Sequence, residues 1–215
     1  FRNVSFHYPG TDRLVLRNFD LHIPCGRVAA ILGPNGVGKS TLIKLLCRFY
    51  DPDEGSVEID GHCLKEYSLV ELRQFVSVLF QEPVHYSATL SENVALAARN
   101  GPPSDAQIYA AAKAAGADRI ARRLSEGYQS ILGRWFDAGH ELSVGEWQCI
   151  ALARAYFRKS PILVLDEPTS ALDPWAEADW LNRFRRLAAG RTAIVITHRF
   201  STAMAADRIY VMSEG

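Results

Sequence analysis

The sequence predicts an α/β protein with a mostly parallel β-sheet, an N-terminal antiparallel β region and an inserted α-helical subdomain. Short apolar runs such as Arg27–Leu32 and Pro161–Asp166 are typical of strands buried on both faces of a parallel sheet. The opening segment Phe1–Tyr8 alternates apolar and polar residues, as a half-buried strand does. An alanine-rich stretch, Ser91–Arg123, has helical spacing and separates the strand-forming parts of the chain.

The elements follow one another in an order that supports this fold class. Turn-forming residues at 9–13 separate the first strand from a second strand or hairpin at Leu14–Pro24. Leucines at helical spacing predict a helix from Lys39 to Phe49, directly after a glycine-rich loop. The later predicted elements are a strand within 51–61, a strand at Phe75–Phe80, a helix from Gly145 to Arg158, a strand at Pro161–Asp166, a helix from Pro174 to about Leu187, and a strand at Thr192–Thr197.

Composition narrows the possible functions. The 215 residues suffice for one large domain or for a domain with a subdomain. Lys and Arg number 24, as do Asp and Glu, so the chain lacks the basic excess expected of a dedicated nucleic-acid binder. The 4 cysteines are scattered, which favours reduced, mostly buried thiols in a cytosolic setting over a zinc site or disulfide framework. No apolar run approaches the roughly 20 residues needed to cross a bilayer.

A phosphate-binding motif lies between a predicted buried strand and a predicted helix. The segment GPNGVGKST fits G-x-x-x-x-G-K-[ST], whose glycines let backbone N–H groups surround phosphate oxygens. Lys39 is placed to reach the β- and γ-phosphates, and the Ser40 hydroxyl can bind Mg²⁺. The motif predicts a P-loop NTPase core that binds ATP and Mg²⁺ through Gly33, Pro34, Asn35, Gly36, Val37, Gly38, Lys39, Ser40 and Thr41.

Two acids end the apolar strand Ile162–Glu167. A buried strand would bring Asp166 to the Mg²⁺ shell, directly or through water. It would bring Glu167 to a water near the γ-phosphate, where a carboxylate can polarise or deprotonate the attacking water. Acids in this position can instead cap the following helix, but the phosphate-binding motif earlier in the chain favours the catalytic interpretation.

With these two segments the chain resembles the nucleotide-binding domains of ABC transporters over essentially its whole length. The further residues that carry the resemblance are Tyr8, Gln81, the signature segment Ser143, Val144, Gly145 and Glu146, the D-loop Ser170, Ala171, Leu172 and Asp173, and His198. The resemblance implies that Tyr8 stacks on adenine and that His198 contacts the γ-phosphate. It also implies that Gln81 contacts Mg²⁺ and the attacking water and couples to the membrane domain.

The resemblance further implies partners and a location. Two such domains close head to tail around two ATP molecules, so the signature segment of one faces the ATP bound by the other. The expected partners are a second nucleotide-binding domain, in a homo- or heterodimer, and transmembrane domains. The expected location of the chain is the cytoplasmic face of a cell membrane. Segments 46–61 and 132–148 look most like exporters. A RecA-like core is expected at about 1–82 and 159–215 and a helical subdomain at about 83–158, cut from a longer chain with a transmembrane domain.

The signature segment departs from the family pattern, because LSVGE stands where L-S-G-G-Q is usual. If the glycine replaced by Val144 has a positive φ, a β-branched residue there costs on the order of 1–2 kcal/mol. A weakened half-site is therefore one alternative. A regulatory module that binds ATP without hydrolysing it is another, although Glu167 and His198 oppose it. A third is a non-transport ABC ATPase in DNA repair, chromosome organisation or translation, which the absence of a coiled coil and of basic segments opposes.

Overall fold

We describe the chain from a computed structural model, over residues 1–98, 101–133, 139–170 and 172–213. The D-loop residue Ala171 and residues 134–138, which precede the signature segment, lie outside the described residues. The strands are β1 Arg2–His7, β2 Leu14–Phe19, β3 Val28–Leu32, β4 Glu54–Ser56, β5 Glu58–Ile59, β6 His62–Cys63, β7 Val76–Leu79, β8 Ile162–Asp166, β9 Thr192–Ile196 and β10 Arg208–Val211. The helices are α1 Lys39–Leu46, α2 Leu69–Phe75, α3 Leu90–Ala95, α4 Asp105–Ala115, α5 Asp118–Arg123, α6 Val144–Arg158, α7 Pro174–Ala188 and α8 Phe200–Ala203.

A five-stranded sheet has the order β10-β3-β9-β8-β7, and its strands β10, β3, β9 and β8 lie in the first of two compact units. This unit comprises residues 1–77, 161–167 and 190–215. The pairs β10–β3, β3–β9 and β8–β9 are parallel, as the apolar runs predict. Leu163, Val164 and Leu165 of β8 are 0% exposed, which fits a strand covered on both faces. A separate antiparallel sheet, β2-β1-β4, contains the N-terminal segment.

The register of the parallel strands brings their carboxyl ends to one edge. Ile31 of β3 and Asp166 of β8 both pair with Ile196 of β9. The three loops that follow these strands therefore begin side by side, where ligands bind in open parallel sheets.

The second unit, residues 78–160 and 168–189, is helical. Its central helix, α6, packs against α3, α4 and α7 through an apolar face that includes the fully buried Trp147, Ile150 and Leu152. Local sequence fixes where its helices begin: Ser143 and Glu146 form a capping box at the start of α6, and Asp173 caps α7 ahead of Pro174.

The predicted fold class is confirmed: a parallel sheet, an antiparallel sheet and a helical insertion are all present. The segment Pro168–Ala189 clusters with the helical unit, whereas the sequence-based subdivision placed it in the core. The helix α2 was not expected, although its capping box of Ser68 and Glu71 is a readable helix start. Among the described residues, no helix combines the length and apolar character that a membrane span requires.

Candidate functional site

The first unit gathers the phosphate-binding motif, the two acids and the histidine at the carboxyl edge of its parallel sheet. Gly33 follows β3, Glu167 follows β8 and His198 lies two residues after β9. These strands are neighbours in the sheet, so residues far apart in sequence share one edge. This shared edge supports the prediction that the phosphate-binding motif, the two acids and the histidine act together.

Backbone geometry explains the glycines of the loop that precedes α1. Gly38 is the N-cap of α1 with φ 106°, a conformation that side chains disfavour. A Cβ at Gly33 would lie 2.5 Å from the main-chain oxygen of Met212, closer than real contacts permit. The loop therefore presents its backbone, and the first N–H groups of α1, at the edge of the sheet.

Lys39 folds over this loop. Its Nζ donates to the carbonyl oxygens of Gly33 at 2.7 Å and Pro34 at 2.8 Å, and the residue is 8% exposed. The ammonium group is thus held at the mouth of the loop by two neutral acceptors. A phosphate oxygen would be a stronger, charged acceptor for the same group.

Ser40 and Asp166 provide oxygen ligands of the kind that Mg²⁺ prefers. The Ser40 hydroxyl donates to Asp166 Oδ2 at 3.3 Å. Burial raises the pKa of the Asp166 carboxyl, and the hydrogen bond from Ser40 acts in the opposite direction. A hydroxyl and one carboxylate beside a phosphate loop fit Mg²⁺, which commonly takes its other ligands from water and nucleotide phosphates.

Glu167 and His198 contact each other. His198 Nδ1 lies 3.3 Å from Glu167 Oε2, with the histidine side chain 58% exposed and the glutamate side chain 17% exposed. Glu167 has φ 45°, and its N–H donates to the Ile196 carbonyl of β9 at 2.9 Å. A left-handed conformation is uncommon for glutamate and is typical of functional sites. The contact places a carboxylate and an imidazole side by side.

Tyr8 lies beside the start of α1. Its hydroxyl is 3.0 Å from Thr41 Oγ1, and Lys44 Nζ lies 4.8 Å from the ring centroid. Phe6 and Tyr50 pack edge-on against Tyr8, with centroids 5.1 Å and 5.4 Å away. The aromatic group is thus fixed next to the phosphate loop, and its stacking on adenine stays a prediction.

In the second unit, α6 holds the segment that contains Gln81. Gln148 donates from Nε2 to the Gln81 carbonyl at 2.9 Å, and His85 stacks on Trp147 at 4.1 Å between ring centroids. Burial lowers the pKa of His85, because desolvation disfavours the charged form of the stacked ring. The side chain of Gln81 is exposed, so it is available to a ligand or partner.

Arg154 of α6 also donates hydrogen bonds to the part of the chain that follows Gln81. Its guanidinium donates to the Val84 carbonyl at 2.9 Å, to the Asn93 carbonyl at 2.9 Å and to Asn93 Oδ1 at 2.7 Å. Sequence reasoning missed Gln148, Trp147 and Arg154 as supports of the Gln81 segment. A partly buried arginine about two helix turns beyond a predicted site carries no distinctive local pattern.

The signature segment and the D-loop line one cavity of about 870 Å³ in the second unit. Its lining includes Ser143, Val144, Gly145, Glu146, Leu172 and Asp173. A Cβ at Gly145 would lie 3.1 Å from Cδ2 of Leu172, so the glycine permits close packing of the two segments. Ser170 is half-buried at the end of the preceding turn. The structure thus brings two segments together that the sequence separates.

The structure removes the proposed backbone strain at Val144. This valine is the first residue of α6, and it is absent from the residues with positive φ. Its side chain is 50% exposed, so the methyl groups point away from the core. Nothing in the backbone therefore favours a weakened half-site.

The comparisons with known proteins agree with this geometry. Residues 16–170 match the family model described as "ABC transporter". The chain is 44% identical over 215 residues to an ATP-dependent lipid A-core flippase of Escherichia coli K12, covering 100% of the chain and 36% of that protein. It is 42% identical to ABC transporter B family member 14 of Arabidopsis thaliana, covering 100% of the chain and 17% of that protein.

A solved structure resembles the chain equally well. It is a bacterial Atm1-family ABC exporter with ATP bound, which superposes with a TM-score of 0.91 at 39% identity. The similarity covers 100% of the chain and 37% of the exporter chain. The chain therefore spans a minor part of the length of each of these relatives.

Proposed function

The chain belongs to the ABC transporter family, and from that premise we propose that it binds and hydrolyses ATP to power export across a membrane. The observation that carries the proposal is the set of side chains at the carboxyl edge of the parallel sheet. Lys39, at the start of α1, and Asp166 and Glu167, at the end of β8, lie at that edge with a loop of backbone N–H groups. The full-length relatives that are exporters support the direction of transport.

The residues divide the chemistry among themselves. The P-loop amides and Lys39 bind and orient the phosphates of ATP. Ser40 and Asp166 would hold Mg²⁺, which supplies neutralisation of phosphate charge. Glu167 would orient and deprotonate the attacking water. His198 contacts Glu167, and its imidazole ring would point toward the γ-phosphate. Gln81 would complete the water and metal contacts and transmit the change to the membrane domain.

The other half of each site is proposed to come from a second nucleotide-binding domain. Ser143, Val144, Gly145 and Glu146 at the start of α6 would face ATP held by that partner, with the D-loop beside them. The first N–H groups of a helix lack intrahelical acceptors and carry partial positive charge, which suits a γ-phosphate. Attached transmembrane domains would place the assembly at the cytoplasmic face of the cell membrane.

Glu167 and Lys39 provide the test of this function. In the full-length protein we expect Glu167→Gln to lower ATP turnover by about 10²-fold or more while ATP still binds, because the amide cannot take a proton. Lys39→Ala should weaken ATP binding itself, since it removes the phosphate cation. Steady-state ATPase and equilibrium binding of a fluorescent ATP analogue measure both effects. Parental turnover in Glu167→Gln, or parental ATP affinity in Lys39→Ala, would refute the proposal.

A further inference from the structure

An acid occupies the helix end that is proposed to meet a phosphate. Ser143 is the N-cap of α6, and its N–H and hydroxyl donate to Glu146 Oε2 at 2.9 Å and 3.0 Å. The Glu146 N–H donates back to Ser143 Oγ at 3.3 Å. The carboxylate therefore lies one hydrogen bond from the serine that would contact the γ-phosphate. Its charge opposes an incoming anion and competes with it for the positive end of the helix.

A cation reaches the other oxygen of the same carboxylate. Arg123 Nη2, at the end of α5, lies 2.5 Å from Glu146 Oε1. The side chain of Glu146 is 24% exposed and that of Arg123 is 59% exposed. The two carboxylate oxygens are thus divided between Ser143 and Arg123. Arg123 also lines the cavity of about 870 Å³ that the signature segment borders.

We propose that Arg123 is a positioning residue of the signature half-site: it neutralises Glu146 and holds that carboxylate on Ser143, so that the start of α6 accepts the phosphate of the partner's ATP. The inference rests on the proposed function. It explains how an acid is accommodated at a position whose role is to receive an anion. It acts through Glu146, so Arg123 itself need not touch the nucleotide.

The charge of Glu146 distinguishes this positioning role from two alternatives, which are that Arg123 binds the phosphate directly and that Arg123 supports the fold. In Glu146→Gln the side chain keeps an oxygen that accepts from Ser143 but loses the charge that Arg123 balances. If Arg123 only compensates Glu146, its removal has no effect once the acid is gone. If Arg123 binds phosphate directly or supports the fold, its removal has the same effect whether position 146 carries Glu or Gln.

The experiment is a double-mutant cycle in the full-length protein, with Arg123→Met, Glu146→Gln and the pair combined. Methionine keeps an unbranched stem for packing and removes the charge. We expect Arg123→Met to lower ATPase roughly three- to tenfold, since the partly exposed charge of Glu146 is left unbalanced beside an anion. The double variant should match Glu146→Gln within about twofold.

Two further measurements distinguish positioning from structural support. The deficit of Arg123→Met should shrink between about 0.05 and 0.5 M salt, because screening weakens the exposed repulsion. ATP affinity at the chain's own P-loop should stay parental, while the yield of ATP-dependent dimer in a Glu167→Gln background should fall. Arg122→Ala is the matched control, because Arg122 is on the same helix and its ion pair is with Asp118 of α5 itself.

The inference would be overturned if Arg123→Met lowered ATPase equally with Glu and with Gln at position 146, or did not lower it at all. A salt-independent deficit would do the same. Failure of the parental protein to hydrolyse ATP would instead refute the proposed function. The two ideas therefore fail on different measurements.

Discussion

Val144 shows how a single residue can be misjudged without its backbone. From sequence, a valine in a glycine position raises the question of strain, which depends on φ. The helix α6 begins at Val144, so the residue has helical backbone geometry that valine adopts with a small cost. Strain is therefore a poor explanation for any change in activity at this position.

We predict that Val144→Ala and Val144→Gly have the same ATPase rate in the full-length protein, within about twofold. Both remove the exposed methyl groups, and neither relieves a backbone conformation that valine resists. Steady-state ATPase with saturating ATP measures the comparison. A rise with glycine that alanine fails to reproduce would show that this residue has a positive φ when the site is assembled.

Glu167 and His198, unlike Val144, were identified as candidate catalytic residues before the backbone geometry was known. Glu167 was recognisable from its place at the end of an apolar strand, whereas His198 was recognisable only from the family resemblance. Their direct contact and the positive φ of Glu167 were not readable from the sequence, because they depend on how β8 and β9 pair.

At the scale of elements, α6 links the two functional segments of the second unit. Its first turn carries the signature residues Ser143–Glu146, and its later turns hold the segment after Gln81 through Gln148 and Arg154. A rigid helix that contacts both segments allows a displacement of one to reach the other. The sequence showed the helix, but its supporting contacts join residues as many as 70 positions apart.

We predict that Arg154→Ala lowers the free energy of unfolding by about 2 kcal/mol. The substitution leaves the Asn93 amide oxygen and the Val84 and Asn93 carbonyls without their charged donor. Urea denaturation followed by circular dichroism measures the change.

Arg122→Ala serves as the control for that measurement, because its side chain is 75% exposed and its ion pair with Asp118 is a surface pair. We expect a change of no more than about 0.5 kcal/mol there. Equal effects at Arg122 and Arg154 would show that Arg154 gives no special support to the Gln81 segment.

At the scale of the whole molecule, the proposed function requires the chain to carry two complementary halves of a site. The first unit contains the P-loop, Asp166, Glu167 and His198, and the second contains the signature segment and the D-loop. Under the proposed function, ATP bound to the P-loop of one copy would bridge to the signature segment of another.

We predict that Glu167→Gln with ATP and Mg²⁺ forms a dimer, whereas the nucleotide-free chain is a monomer. Without hydrolysis the bridging phosphate persists and holds the two surfaces together. Size-exclusion chromatography with light scattering measures the doubling of mass. Adding Lys39→Ala should abolish the dimer, and a dimer that persists without nucleotide would contradict ATP as the bridging ligand.

The sequence by itself determined the α/β class, the P-loop and the acids that end β8. These features depend on short-range periodicity and on motifs of contiguous residues, which local physics fixes. The tertiary structure decided the backbone state of Val144, the attachment of the Gln81 segment to α6 and the pairing of Arg123 with Glu146. Each of these depends on side chains from different elements meeting in space, and neither spacing nor composition encodes such meetings.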